Sequence, residues 1–164
     1  MNTRIFKQLV GSQHNAVMLM LQACIRRCPN DVWTKPVGNW PFWLVVYHVL
    51  CFVDLYASKD NESWEPHPKF HPNGKQELAD EFPSRTFSKR EMLEYWSYCD
   101  TKHRKSLEAE TTKSLAGPSG FSWYKTTRAE LRLVSMRHVS HHLGQLTGVL
   151  RKSRIRIKWL YGVE

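Results

Sequence analysis

The run Arg137-His138-Val139-Ser140-His141-His142-Leu143-Gly144-Gln145 carries His138 and His142 four positions apart. At about 100° per residue, a helix stacks both imidazoles on one face. Two neutral imidazoles so placed can grip one first-row divalent ion. His48 is the natural third ligand. It lies in the apolar stretch Phe42-Trp43-Leu44-Val45-Val46-Tyr47-His48-Val49-Leu50-Cys51-Phe52-Val53, where nothing local would satisfy a buried imidazole. Three protein ligands, with the other positions left to water or substrate, describe a catalytic site rather than a closed structural one.

For His48 by itself, a core imidazole bonded to a backbone carbonyl or a Tyr is the competing reading. The cluster His138/His141/His142 tips the balance toward metal. Adjacent histidines on a helix point about 100° apart, so His141 does not share the ligand face equally and is a neighbour of the site. Cys51, three residues after His48, returns close to the same helix face and belongs to the layer around the ligands. If a thiol takes the open position, the ion holds it as thiolate and the chemistry is S-transfer or thiol-assisted isomerisation. If water takes it, the chemistry is hydrolytic. No Glu stands beside the His pair, which disfavours a metalloprotease-like hydrolase and leaves His141 as the only nearby titratable group.

Four helical periods position these residues. The first helix is expected from about Thr3 to Arg27, with Ile5, Phe6, Leu9, Val10, Val17, Leu21, Cys24 and Ile25 on its apolar face, ended by Pro29-Asn30. The second runs from about 40 to 58, capped by Asn39 with Pro41 in its first turn. Residues 59–87 hold Pro66, Pro68, Pro72 and Pro83 and read as a long irregular connection with at most a short turn of helix. His67 and His71 are spaced like a second ligand pair, but Pro68 and Pro72 argue against a shared face and place them on the surface or in a lid. Ser88-Lys89-Arg90-Glu91 is a capping box opening the third helix, expected to about Lys113. The fourth runs from about 127 to 151. Four helices and no convincing strand mean an all-α fold, a four-helix bundle, whose core is where metal sites are built from facing helices.

The chain has 164 residues, 41% hydrophobic, enough for one domain with a single core over 1–164. No run is apolar enough to span a membrane and the N-terminus lacks a signal peptide's apolar core, so a cytoplasmic protein is expected. Cys24, Cys28, Cys51 and Cys99 have no CxxC spacing and fit reduced, buried thiols. Trp40, Trp43, Trp64, Trp96, Trp123 and Tyr124 offer a possible pocket wall, although aromatics at helical spacing are usually core. The net charge of +9 concentrates in Arg151-Lys152-Ser153-Arg154-Ile155-Arg156-Ile157-Lys158, which reads as a helix end followed by a solvated tail.

His48 followed by Asp54 on helix two, together with His138-Val-Ser-His-His142-Leu-Gly-Gln145-Leu on helix four, resembles the DinB-like metal-binding four-helix bundles, over essentially the whole chain. The resemblance implies that His48, His138 and His142 are three facial ligands of a divalent metal, commonly zinc or nickel. It also implies an up-down-down-up topology with the long connection between helices two and three as crossover, and a homodimer. Its characterised relatives are thiol-dependent transferases and isomerases using a low-molecular-weight thiol on a small-molecule substrate. Asp54, about 240° round the helix from His48, is expected to bond a neighbouring helix or cap backbone, and Gly144 and Gln145 to be structural. Two other readings compete: a noncatalytic, stress-associated metal-binding bundle, and a nucleic-acid-binding protein using Arg151, Lys152, Arg154, Arg156 and Lys158. The last is disfavoured because no recognition-helix motif accompanies the basic tail.

Overall fold

A computed structural model describes residues 2–75, 83 and 85–162. The described chain is mostly helical: α1 (Thr3–Arg27), a two-strand hairpin β1 (Pro36–Val37) and β2 (Trp40–Pro41), α2 (Phe42–Ala57), α3 (Lys89–Glu108), the short α4 (Thr112–Ala116) and α5 (Arg128–Lys152). No described helix is long and apolar enough to cross a membrane.

Helix α2 is the centre of the molecule. Every residue from Phe42 to Ala57 is buried except His48 and Phe52, as expected of a helix that is apolar all round. It packs on α3 and α5, while α1 packs on α3 and α5 from the other side. The N-terminus of α2 differs from the expectation. Asn39 is not its cap but lies in the hairpin turn, beside Gly38 at φ 65°. The antiparallel pairing of Pro36 with Pro41 and Val37 with Trp40 brings the preceding chain back over the helix start. There Phe42 N–H donates to Lys35 O at 2.9 Å and Trp43 N–H to Trp33 O at 3.1 Å. Main-chain carbonyls thus satisfy donors that a side-chain cap would otherwise take.

The other helix starts follow local signals. Ser88 and Glu91 form the reciprocal capping box of α3, and Thr127 Oγ1 accepts from Glu130 N–H at the start of α5. Helix α3 ends at Glu108, short of the expected Lys113, because the chain turns Glu110 inward. Its carboxylate accepts from Arg128 Nε at 2.9 Å and from the Arg132 guanidinium. Thr111 and Ser114 then make a second capping box for α4.

Three expectations about burial are corrected. Ile5 and Leu9 share the apolar period of α1 yet stand 53% and 63% exposed, since Phe6 and Val10 turn inward instead. His71 is not a surface residue but is almost fully buried, its Nδ1 2.8 Å and its Nε2 2.6 Å from the hydroxyls of Tyr47 and Tyr95. It comes in on the single helical turn that His67 O makes with the Phe70 and His71 amides, while His67 is half-buried. Trp43, Trp64 and Trp96 are core, not pocket wall, and Trp96 Nε1 donates to Met18 O at 2.8 Å. Residues 76–82 and 84 of the connection lie outside the described residues.

Asp54 does bond a neighbouring helix. Its carboxylate accepts from the Tyr95 hydroxyl at 3.2 Å and pairs with Lys102, both on α3. All four cysteines are free and buried. The tail after α5 is docked rather than free. Ile155, Ile157 and Leu160 pack on the core, and Arg156 O and Tyr161 O accept from Arg27 and Gln13 of α1.

Candidate metal centre

Helices α2 and α5 bring His48, His138 and His142 together. One ligand atom from each lies within 4.8 Å of the others, and all three residues are partly buried. The i,i+4 spacing stacks His138 and His142 on α5 with ring centroids 4.6 Å apart, and His48 meets them from α2 at 5.0 and 4.9 Å.

The nitrogen available for ligation can be named for each ring. His48 Nε2 and His138 Nε2 are 3.0 Å apart. Two imidazole nitrogens at about 2.1 Å from one ion, at angles between octahedral and tetrahedral, stand about 3.0–3.4 Å from one another. The observed separation is one that two ligands of a single ion can have, and the ligand atom of His142 lies within 4.8 Å of both. His142 Nδ1 is 2.8 Å from Gln145 Oε1. An amide oxygen only accepts, so this nitrogen carries the proton and His142 Nε2 keeps its lone pair. The donor set is therefore three imidazoles, a set that suits zinc, nickel, copper or iron over calcium and magnesium.

Electrostatics favour the neutral, ligating form. Burial pushes His48 down to about 4 and His138 down to about 3, and neighbouring imidazoles add to both shifts. Burial also lowers His142, against the bond to Gln145. Near neutral pH all three present lone pairs rather than charge.

The surroundings are aromatic. Trp40 of the hairpin lies 5.2 Å from His48 between ring centroids, and Phe52 lies 4.8 Å from His48 and 5.1 Å from His138. From Phe52 the wall continues through Tyr56 to Phe121 and Tyr124. Of the expected pocket aromatics, Trp40 therefore touches the centre, and Tyr124 belongs to the wall leading away from it. His141 is exposed, edge-on to His142 at 4.9 Å, with its Nε2 3.5 Å from Gln145 Nε2. Cys51 is buried, close enough to Tyr56, Tyr95 and Cys99 to act on their charges.

No family model, curated protein or solved structure matches the chain. The geometry of the centre itself carries the functional reading.

Gln145, expected to be structural, bonds the ring of His142. Its spacing from His142, three residues on, is a contact spacing on a helix, and that was the available signal.

Proposed function

We propose that this protein is a DinB-like bundle that binds a divalent metal, zinc or nickel, through His48, His138 and His142 and uses it for thiol S-transfer or thiol-assisted isomerisation. The observation that carries the reading is the convergence of three neutral imidazoles from two helices within 4.8 Å. When bound there, a divalent ion supplies Lewis acidity that holds a coordinating small thiol as its thiolate.

The chain's own residues do the rest. Gln145 orients the His142 ring, and burial, which lowers the pKa of His48 and His138, keeps their lone pairs available. Trp40 and Phe52 flank the imidazoles with apolar surface that excludes water from one side. His141 stands exposed beside the centre, edge-on to His142.

The up-down-down-up arrangement belongs to the same proposal. Pairing of Met18 with Trp96 and of Lys7 with Glu108 supports antiparallel α1 and α3. Pairing of Leu50 with Cys99 and of Ala57 with Ser106 supports parallel α2 and α3, which a long crossover must join. A cytoplasmic homodimer acting on a small-molecule substrate completes the reading.

Cobalt(II) substitution tests it. Ligand-field bands that appear on titration, followed by a thiolate-to-cobalt charge-transfer band when a small thiol is added, are the expected result. Ligand-field bands with no response to thiols, and no turnover with any thiol and electrophile pair, would favour the noncatalytic metal-binding reading.

A further inference from the structure

We propose that the face built by α1, α5 and the docked tail is a docking surface for an anionic lipid bilayer. Its first support is the distribution of charge. Residues 1–30 and 131–163 hold eleven Lys and Arg and not one Asp or Glu, whereas residues 31–130 hold thirteen Lys and Arg against fourteen acids. The positive excess of the protein therefore belongs to these elements alone. They form one body, because α1 packs on α5 and the tail is tied to α1 by Arg27 at Arg156 O and Gln13 at Tyr161 O. Nine of the eleven cations are exposed. In the tail, Ile155 and Ile157 turn toward the core while Arg154, Arg156 and Lys158 turn out, which makes a one-sided basic strip beside Arg26 and Arg27.

The second support is apolar. Of the six large hydrophobic residues exposed among the described residues, five lie on these elements: Ile5, Leu9, Leu133 at 45%, Trp159 at 75% and Tyr161 at 88%. Exposed apolar groups set among cations gain free energy when they enter the interfacial region of an anionic bilayer. A single-stranded nucleic acid would use Trp159 and Tyr161 as stacking platforms but would gain nothing from Ile5, Leu9 and Leu133, which have no π face. A second copy meeting this face with the same face would set like charge against like charge, with Glu130 at the start of α5 the one carboxylate among the described residues of these elements to offset it.

The test is co-sedimentation of the full chain with vesicles of equimolar phosphatidylcholine and phosphatidylserine, with phosphatidylcholine vesicles and an oligothymidylate as parallel arms. The expected result is salt-sensitive partitioning onto the anionic vesicles only. The variant with Arg154→Gln, Arg156→Gln and Lys158→Gln should lose about fivefold per cation, roughly a hundredfold together. Leu9→Ser and Trp159→Ser should weaken partitioning without changing its salt slope. These positions are exposed, so circular dichroism should show an unchanged fold. No sedimentation with anionic vesicles, retention on oligothymidylate in its place, or indifference to Leu9→Ser and Trp159→Ser would each overturn the proposal.

Discussion

Gln145 Oε1 accepts a hydrogen bond from His142 Nδ1 at 2.8 Å, one helical turn along α5, and thereby leaves Nε2 as the nitrogen of His142 with a lone pair to offer beside His48 and His138. A partner of this kind to a ligating imidazole is worth about 10–100-fold in metal affinity. Gln145→Ala should therefore weaken zinc binding by that factor in a competition titration, while Gln145→Glu, which keeps the acceptor, should restore most of it. Equal affinities for all three proteins would show that Gln145 does not orient the ring.

Glu110 is the only carboxylate bonded to two buried guanidinium groups, those of Arg128 and Arg132, among the described ion pairs. Removing one partner of a buried ionic group leaves uncompensated charge and costs about 3–5 kcal/mol. Glu110→Ala should lower the urea midpoint accordingly, far more than Glu94→Ala, whose pair with Lys69 is exposed. A loss for Glu110→Ala no larger than that for Glu94→Ala would contradict this.

His14 and His103 stack in the interior with ring centroids 3.4 Å apart, and both Nε2 atoms are buried. Burial first, and then neighbouring charge including Arg132, pushes His14 down to about 3 and His103 well below its ordinary value. The unfolded chain protonates these rings near 6.5 while the folded chain does not, so the unfolded state binds more protons across the window from about 6.5 down to 3. Stability is fully present above that window and falls as pH falls through it. His14→Gln should make this decline shallower by up to about 1.4 kcal/mol per pH unit, measured as urea-unfolding free energy against pH. An unchanged slope would mean that His14 is not neutral in the folded protein.

Gly120 has φ +90°, and a Cβ there would lie 2.1 Å from Lys59 O. The turn after α4 thus presses directly on the start of the connection following α2. Gly120→Ala should cost at least about 1–3 kcal/mol from backbone strain alone, with the clash adding to it. Gly74→Ala has open space and only the strained φ of 63° to bear, so its melting temperature should fall less. Equal falls would remove the clash from the explanation.

The parts that were legible in the sequence are those governed by near neighbours. The i,i+4 pair His138/His142, a histidine inside an otherwise apolar helix at position 48, and the capping box opened by Ser88 all act within a turn or two of chain. The parts that were not legible depend on segments far apart in sequence. Asn39 has a helix-cap composition, but the carbonyls of Trp33 and Lys35 reach the start of α2 only because a hairpin folds back over it. His71 looks like a loop residue between prolines, and only the hydroxyls of Tyr47 and Tyr95 make its burial possible. Glu110 ends α3 early because Arg128 and Arg132 arrive from another helix. Ile5 and Leu9 fit the apolar period of α1 yet remain outside, since a period identifies a face without saying what covers it.

The central claim is that His48, His138 and His142 form one metal centre, and elemental analysis of untagged protein purified without chelator tests it most directly, alongside His48→Ala and His142→Ala. Near-stoichiometric zinc or nickel in the native protein, lost in both variants while their circular dichroism stays helical, is the expected result. A native protein that binds none of zinc, nickel, manganese or iron after reconstitution, or variants that keep full metal content, would contradict it.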